Sequence, residues 1–204
     1  MFHVKHEGWS ASAHSLGISL TDPQVRQLER YGSLLEDRAL PRGLIAVSDA
    51  GRLSERHLVD SLRAATLVRP TDATAYDLGS GAGLPGIVVA IACPWLSIGL
   101  VESKTGRIAF LELAVRDIPV ENAHVLAGRA EDLQEPVDLC FARAFGDVAK
   151  SWATAFRSLV PGGRLVYFAG EGFDPSSVPN DASVAIRSFP SLARSGPLVI
   201  MTRQ

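Results

Sequence analysis

From residue 70 onward, short β-rich runs alternate with helical ones, and a glycine-rich turn, DLGSGAG (77–83), follows directly on the first of them. No other feature constrains the fold as strongly. The β-rich runs fall at TAYDL (74–78), SIGLVE (97–102), NAHVLA (122–127), VDLCFA (137–142) and GRLVYF (163–168). Between them LPGIVVAIAC, KTGRIAFLELAVRD, AEDLQ and DVAKSWATAFRSLV supply helical or turn-like crossovers. Strands that alternate with helices predict a parallel, doubly wound sheet covered on both faces. Two further runs, ASVAIRSF and PLVIMTR, have only SLARSG between them, which suits a hairpin-like link. The expected α/β fold is therefore a mostly parallel seven-stranded sheet that ends in an antiparallel pair.

Two helical segments precede the sheet. TDPQVRQLERYGSLLED starts with Thr21 and Asp22 as a cap and Pro23 in the first turn, and spaces Val25, Leu28, Tyr31 and Leu35 along one face. SERHLVDSLRAATLV repeats Leu58, Leu62 and Ala65. The linker ALPRGLIAVSDAGRL between them is expected to wrap the sheet edge. A chain of 204 residues suits one domain. The expected organisation is a flexible leader over 1–19 and a single domain over 20–204. Within it, 20–70 forms a helical extension and 71–204 the core.

The charge balance, a formal net −2, disfavours a broadly basic surface but leaves room for a local one. No run of apolar residues is long enough for a membrane span, and the first 15 residues lack the apolar centre of a secretory signal. Cys93 and Cys140 are widely separated and read as buried free thiols. With the missing signal they point to a reducing cytoplasm. His3 and His6 have ligand-like spacing, but no other Cys or His cluster supports them, and no metal site is expected.

The glycine turn fits two templates. Gly81, Gly83 and Gly86 form the G-x-G-x-x-G of dinucleotide-binding folds, while Asp77, Gly79, Gly81 and Gly83 form the D-x-G-x-G-x-G of S-adenosylmethionine enzymes. Glu102 ends the second strand, where either fold places a ribose-binding carboxylate. Three features favour the second template. Asp77 at the strand tip would repel a pyrophosphate but attract the ammonium of a methionine moiety. GRAEDL after the third strand places an acidic residue within reach of an adenine amine. LVPGGRLVYF sets Pro-Gly-Gly immediately before the fifth strand, as is common in class I methyltransferases.

In that order DLGSGAGLPGIVVA, VESKTGRIAFL, GRAEDL and FARAF, with ERHLVDSL (55–62) ahead of them, resemble the bacterial small-subunit ribosomal RNA methyltransferase G family, also called glucose-inhibited division protein B. The resemblance runs from about residue 20 to 204. It implies a Rossmann-like class I methyltransferase that moves a methyl group from S-adenosyl-L-methionine to N7 of one guanine in 16S rRNA. It further implies 16S rRNA or the small ribosomal subunit as partner; a monomer without metal or membrane partner is expected. Carried over by position, the family's cofactor contacts look like Gly79, Leu84, Ala130, Glu131 and Arg143; Asp77, Gly81, Gly83 and Glu102, read from the turn and the second strand, complete the expected cofactor site. Two positions depart from the family's habit: Gly106 and Ala169 stand where lysines are frequent, which removes two cations that could touch RNA.

Guanine N7 carries a lone pair and no proton, so its methylation needs alignment and no general base. The chain has no Asn-Pro-Pro-Tyr or catalytic-cysteine motif, which disfavours amino-group and carbon-5 methylation. Arg143, Arg129 and His57 are the candidates near the chemistry. Arg143 reads as a rim residue that positions a carboxylate or phosphate, or else as a structural arginine. As a rim residue it should matter little for stability. His57, Asp60 and Ser61 share one helical face, placed over the cleft or in a local hydrogen-bond network. Lys104, Arg107, Arg116 and Arg129 are RNA-contact candidates if they share the C-terminal rim of the sheet. Two alternatives stay open: a small-molecule methyltransferase, and a cofactor-binding module without transfer activity.

Overall fold

The computed structural model describes residues 6–189 and 196–204. Seven strands form one sheet in the order β3-β2-β1-β4-β5-β7-β6. They are β1 (Thr74–Leu78), β2 (Ser97–Glu102), β3 (Ala123–Ala127), β4 (Val137–Ala142), β5 (Leu159–Phe168), β6 (Ala182–Arg187) and β7 (Leu198–Arg203). β1 to β5 are parallel, and β7 runs antiparallel between β5 and β6. This is the expected doubly wound sheet with its antiparallel end. β1 and β4 are buried over nearly their whole length, as a parallel sheet covered on both faces requires.

The helices are α1 (His6–Ser15), α2 (Asp22–Leu34), α3 (Asp60–Ala65), α4 (Gly86–Ala92), α5 (Thr105–Asp117) and α6 (Val148–Phe156). α2 starts as the sequence predicts: the backbone N–H of Thr21 donates to Gln24 Oε1 at 2.8 Å, and Pro23 sits in the first turn. The Gln24 amide then donates to the Ile91 carbonyl at 2.7 Å, which fastens α2 to the end of α4. α2 continues as a π turn over Leu35–Ala39, and α3 is preceded by another over Ser54–Val59. Such wide turns often mark functional sites.

Two elements differ from the sequence reading, and one crossover takes the turn-like form it allowed. The stretch 1–19, expected as a flexible leader, contains α1, because Trp9 and Ala13 lie four residues apart and are both fully buried in the main core. His3 and residues 1–5 lie outside the described residues. The AEDLQ crossover is the turn-like one, a single 3-10 turn over Ala130–Asp132, so β3 passes to β4 with no covering helix. Pro161-Gly162-Gly163 lies inside β5 and not ahead of it. Val137 pairs with Leu159, the register shifts, and pairing resumes at Leu139 with Arg164. Gly162 takes φ +78° at this bulge, and a Cβ on Gly163 would lie 2.8 Å from the Val160 carbonyl oxygen.

Candidate active site

The glycine turn leaves β1 at Leu78 and enters α4 at Gly86. Gly79, Gly81 and Gly83 adopt φ of +66°, +60° and +91°, which side chains strongly disfavour. Two carboxylates brace the turn. Asp77 lies beneath it, 1% exposed, and accepts a hydrogen bond from the Gly86 backbone N–H at 3.1 Å. Burial raises its pKa to about 7, against opposing hydrogen bonds from Ser80 and Gly86. Glu102 at the end of β2 braces the other side. Its Oε2 accepts from Gly81 N at 3.1 Å, and its Oε1 from Ser103 N at 2.9 Å and Lys104 N at 3.0 Å.

Three cavities open along the C-terminal ends of the strands. The first, of 390 Å³, lies over β2 and β3 and is lined by Gly79, Glu102, Lys104, Arg129, Ala130 and Glu131, among others. The second, of 220 Å³, lies over the glycine turn and is lined by Leu44, Ile45, His57, Gly81, Leu84 and Arg143. The third, of 620 Å³, lies at the ends of β4 and β5 and includes Asp60, Arg63, Tyr167, Phe168 and Glu171. Ala144 lines all three. It is the one non-glycine residue with positive φ among the described residues, at +53°, and such residues gather where a site dictates the backbone.

Arg143, just past β4, separates the second cavity from the third. Its Nη2 lies 3.0 Å from His57 Nδ1 and 3.3 Å from Asp60 Oδ2, and its Nη1 donates to Ser61 Oγ at 3.3 Å. The helical trio His57, Asp60 and Ser61 therefore receives this one guanidinium. His57 Nε2 is also 3.0 Å from Asp49 Oδ2. A guanidinium N–H can only donate, so His57 Nδ1 accepts, and the ring proton sits on Nε2 facing Asp49. Burial lowers the Arg143 pKa, with Asp60 opposing it. The side chain is 18% exposed, more enclosed than the rim position expected from sequence.

The predicted residues divide clearly. Gly79, Gly81, Leu84, Glu102, Ala130, Glu131 and Arg143 all line the first two cavities. Gly83 packs inward, where a Cβ would fall 2.5 Å from Ile87 Cδ1, and Asp77 is not among the lining residues. Asp77 Oδ2 is engaged by the Gly86 amide in a bond that closes the turn. Lys104, Arg107 and Arg129 line the first cavity, but Arg116 does not: it sits in the last turn of α5, where the crossover returns toward the start of β3. The sequence reading missed Phe145 and Lys150. The Phe145 ring packs so closely on the turn that a Cβ on Gly79 would lie 2.7 Å from its Cδ2, and Lys150 Nζ stands 5.3 Å from the ring centre. Phe145 belongs to FARAF, so the signal was present.

The donor set of the first cavity suits an adenosine. Glu102 offers acceptors to a hydroxyl pair, and Glu131 an acceptor to an exocyclic amine. No cluster of His, Cys, Asp and Glu suited to a metal occurs among the described residues. Cys93 and Cys140 are buried and unbridged, and burial pushes both thiols well up. No described helix is long and apolar enough to cross a membrane.

A family model described as rRNA small subunit methyltransferase G matches residues 24–191. The chain belongs to that family. Curated relatives carrying the name Ribosomal RNA small subunit methyltransferase G include one from Acidovorax sp. (strain JS42), 33% identical, with 89% of this chain and 85% of the relative covered. A second, from Mycobacterium leprae (strain Br4923), is 34% identical over 84% of this chain and 76% of its own. Among solved structures, a SAM-dependent methyltransferase from Aquifex aeolicus superimposes with TM-score 0.56 at 15% identity, covering 79% of this chain and 97% of its own. An S-adenosyl-L-methionine-dependent methyltransferase from Methanococcus maripaludis gives TM-score 0.58 at 16% identity, covering 80% and 93%. These two establish the Rossmann-like methyltransferase fold, and the family members carry the resemblance seen in the motifs.

Proposed function

We propose that this protein transfers the methyl group of S-adenosyl-L-methionine to N7 of a guanine in small-subunit ribosomal RNA. The observation that carries the reading is the continuity of the first two cavities through Gly79, Arg107 and Ala144, with Glu102 at one end and Arg143 at the other. The cleft fits the cofactor. Glu102 would hold the ribose, Ala130 and Glu131 the adenine, and Gly79, Gly81 and Leu84 would pass beneath the methionine portion. When bound, the cofactor supplies an electrophilic methyl on a sulfonium.

The chain's own task is placement. N7 is already a nucleophile, so these residues need only hold it in line at roughly 3–3.5 Å from the methyl carbon and keep water out. Arg143, fixed by His57, Asp60 and Ser61, borders the place where the two reactants meet. A guanidinium there would oppose the positive charge that forms on the base. Its role is therefore to orient a carboxylate or phosphate and to hold the wall of the cleft. Lys104, Arg107 and Arg129 form a basic edge beside the first cavity for the RNA backbone.

Tritiated-methyl transfer to undermethylated small subunits, run beside a panel of small metabolites, tests this reading. Label in the rRNA, recovered as 7-methylguanosine, is the expected result. Label only in metabolites, or none with binding of the demethylated cofactor intact, would overturn it.

A further inference from the structure

We propose that the third cavity is the subsite for the target nucleobase, and that the Glu171 carboxylate reads the Watson–Crick edge of guanine within it. The proposal rests on the methyl-transfer reading above. The third cavity meets the second only through Arg143 and Ala144, so a base seated there faces the reacting end of the cleft across those two residues. It is also the largest of the three, at 620 Å³. N7 lies in the deep, narrow major groove of an RNA helix, beyond the reach of an enzyme cleft. The target must arrive splayed out, and a splayed base needs a pocket with an aromatic wall and polar groups at its edge.

The pocket has both. Tyr167 and Phe168 line it from the end of β5. The Tyr167 hydroxyl donates to the Gly146 carbonyl at 3.1 Å, which fixes its ring. Arg63 and Arg143 stand 5.8 Å and 5.6 Å from the centre of the Phe168 ring, holding it in place. Two carboxylates face the cavity. Asp60 is committed, with Oδ1 2.5 Å from Arg63 Nη2 and Oδ2 3.3 Å from Arg143 Nη2. Glu171 is exposed on the loop after β5 and makes no ion pair or side-chain hydrogen bond with another described residue.

A carboxylate of this kind matches one base. Guanine presents N1–H and an N2 amine as adjacent donors, and two carboxylate oxygens accept both at once. Adenine presents a lone pair at N1, which a carboxylate repels. The same negative charge also favours the positive ring that forms as N7 is methylated, so the contact strengthens toward the transition state.

The test pairs Glu171→Gln with inosine, which lacks the N2 amine. Small subunits are reconstituted with rRNA carrying guanosine or inosine at the methylated nucleotide. Methyl transfer is then measured with wild type and variant, beside calorimetry with S-adenosylhomocysteine and a melting curve. Wild type is expected to lose about tenfold or more in kcat/KM on inosine. Glu171→Gln should lose a similar factor on guanosine and little more on inosine, with cofactor affinity and melting unchanged. A variant that transfers at the wild-type rate, that still discriminates inosine in full, or that loses cofactor affinity overturns the assignment while the methyl-transfer reading stands. Absence of transfer by the wild-type protein overturns that reading and this one with it.

Discussion

Asp77 and Gly86, nine residues apart, are joined by a 3.1 Å hydrogen bond from the glycine's backbone N–H to the carboxylate Oδ2. The bond links the last part of β1 to the first turn of α4 and so sets the width of the glycine turn. It also explains the packing of Gly86, where a Cβ would lie 2.7 Å from the same oxygen and 2.4 Å from Leu100 Cδ2. The aspartate thus braces the glycine turn from beneath.

Its burial carries a pH signature. The folded-state pKa is raised from 3.8 to about 7. In the unfolded chain Asp77 ionises near its ordinary value, while in the fold it keeps its proton. The stability it contributes is complete below about pH 4 and is lost as the pH rises through about 7. Asp77→Asn retains an acceptor for Gly86 and cannot ionise. Urea unfolding at a series of pH values should show a flatter profile between pH 4 and 8 for the variant, with stability equal to or above wild type at pH 8. A wild-type slope in the variant would assign the dependence to other groups.

Gly81→Val probes the turn in another way. Its φ is +60°, yet the nearest atom to an added Cβ is the Gly79 carbonyl oxygen at 3.8 Å. Space is available, so the cost is conformational, about 1–2 kcal/mol for a side chain in the left-handed region. The variant should stay folded by circular dichroism and lose binding of S-adenosylhomocysteine by calorimetry. Normal binding would remove the turn from the site.

Glu102→Gln separates bracing from ligand contact. The carboxylate accepts from Gly81, Ser103 and Lys104 through both oxygens, and an amide has only one acceptor oxygen. The variant should bind S-adenosylhomocysteine roughly tenfold more weakly, about the value of one hydrogen bond to a charged group. If affinity is unchanged, neither the turn nor the ribose depends on that charge.

What the sequence disclosed follows from what periodicity can carry. β1, β2 and β4 fall on the predicted residues because each is a short apolar run bounded by turn residues. The trio His57, Asp60 and Ser61 was legible from helical spacing, even though the helix opens into a π turn there. Its partner was not: Arg143 lies 82 residues beyond Ser61, and no local pattern reports so distant a contact. The bond from Asp77 to the Gly86 amide was not legible, because a strand-tip carboxylate looks the same in sequence whether or not it braces a backbone amide. α1 escaped because Trp9 and Ala13 are two apolar positions in a polar stretch, and only burial shows that they anchor it. Arg116 was grouped with cations from which it is separated by most of the length of α5.

Arg143 offers the sharpest test of how site and scaffold share a residue. Two nitrogens of its planar fork serve different partners: Nη2 meets His57 Nδ1 and Asp60, and Nη1 meets Ser61 Oγ at 3.3 Å and the His57 carbonyl at 3.4 Å. Lysine keeps the charge but presents one nitrogen and no fork, so Arg143→Lys should retain the Asp60 pair and lose the contacts that fix the group's plane. Transfer to small subunits should fall about tenfold or more, in keeping with the loss of a charge-assisted hydrogen bond. Stability should fall too, by about 1 kcal/mol, because the side chain is enclosed and not set on an open rim. Arg143→Ala should cost more than the lysine variant. Its cost should still stay under the ~3–5 kcal/mol of a broken buried pair, since Asp60 retains Arg63 at 2.5 Å. Urea unfolding and methyl transfer measured on the same preparations decide the matter. Full transfer by the lysine variant would make Arg143 a scaffold residue alone, and unchanged stability in the alanine variant would show that the network with His57 and Asp60 contributes nothing to the fold.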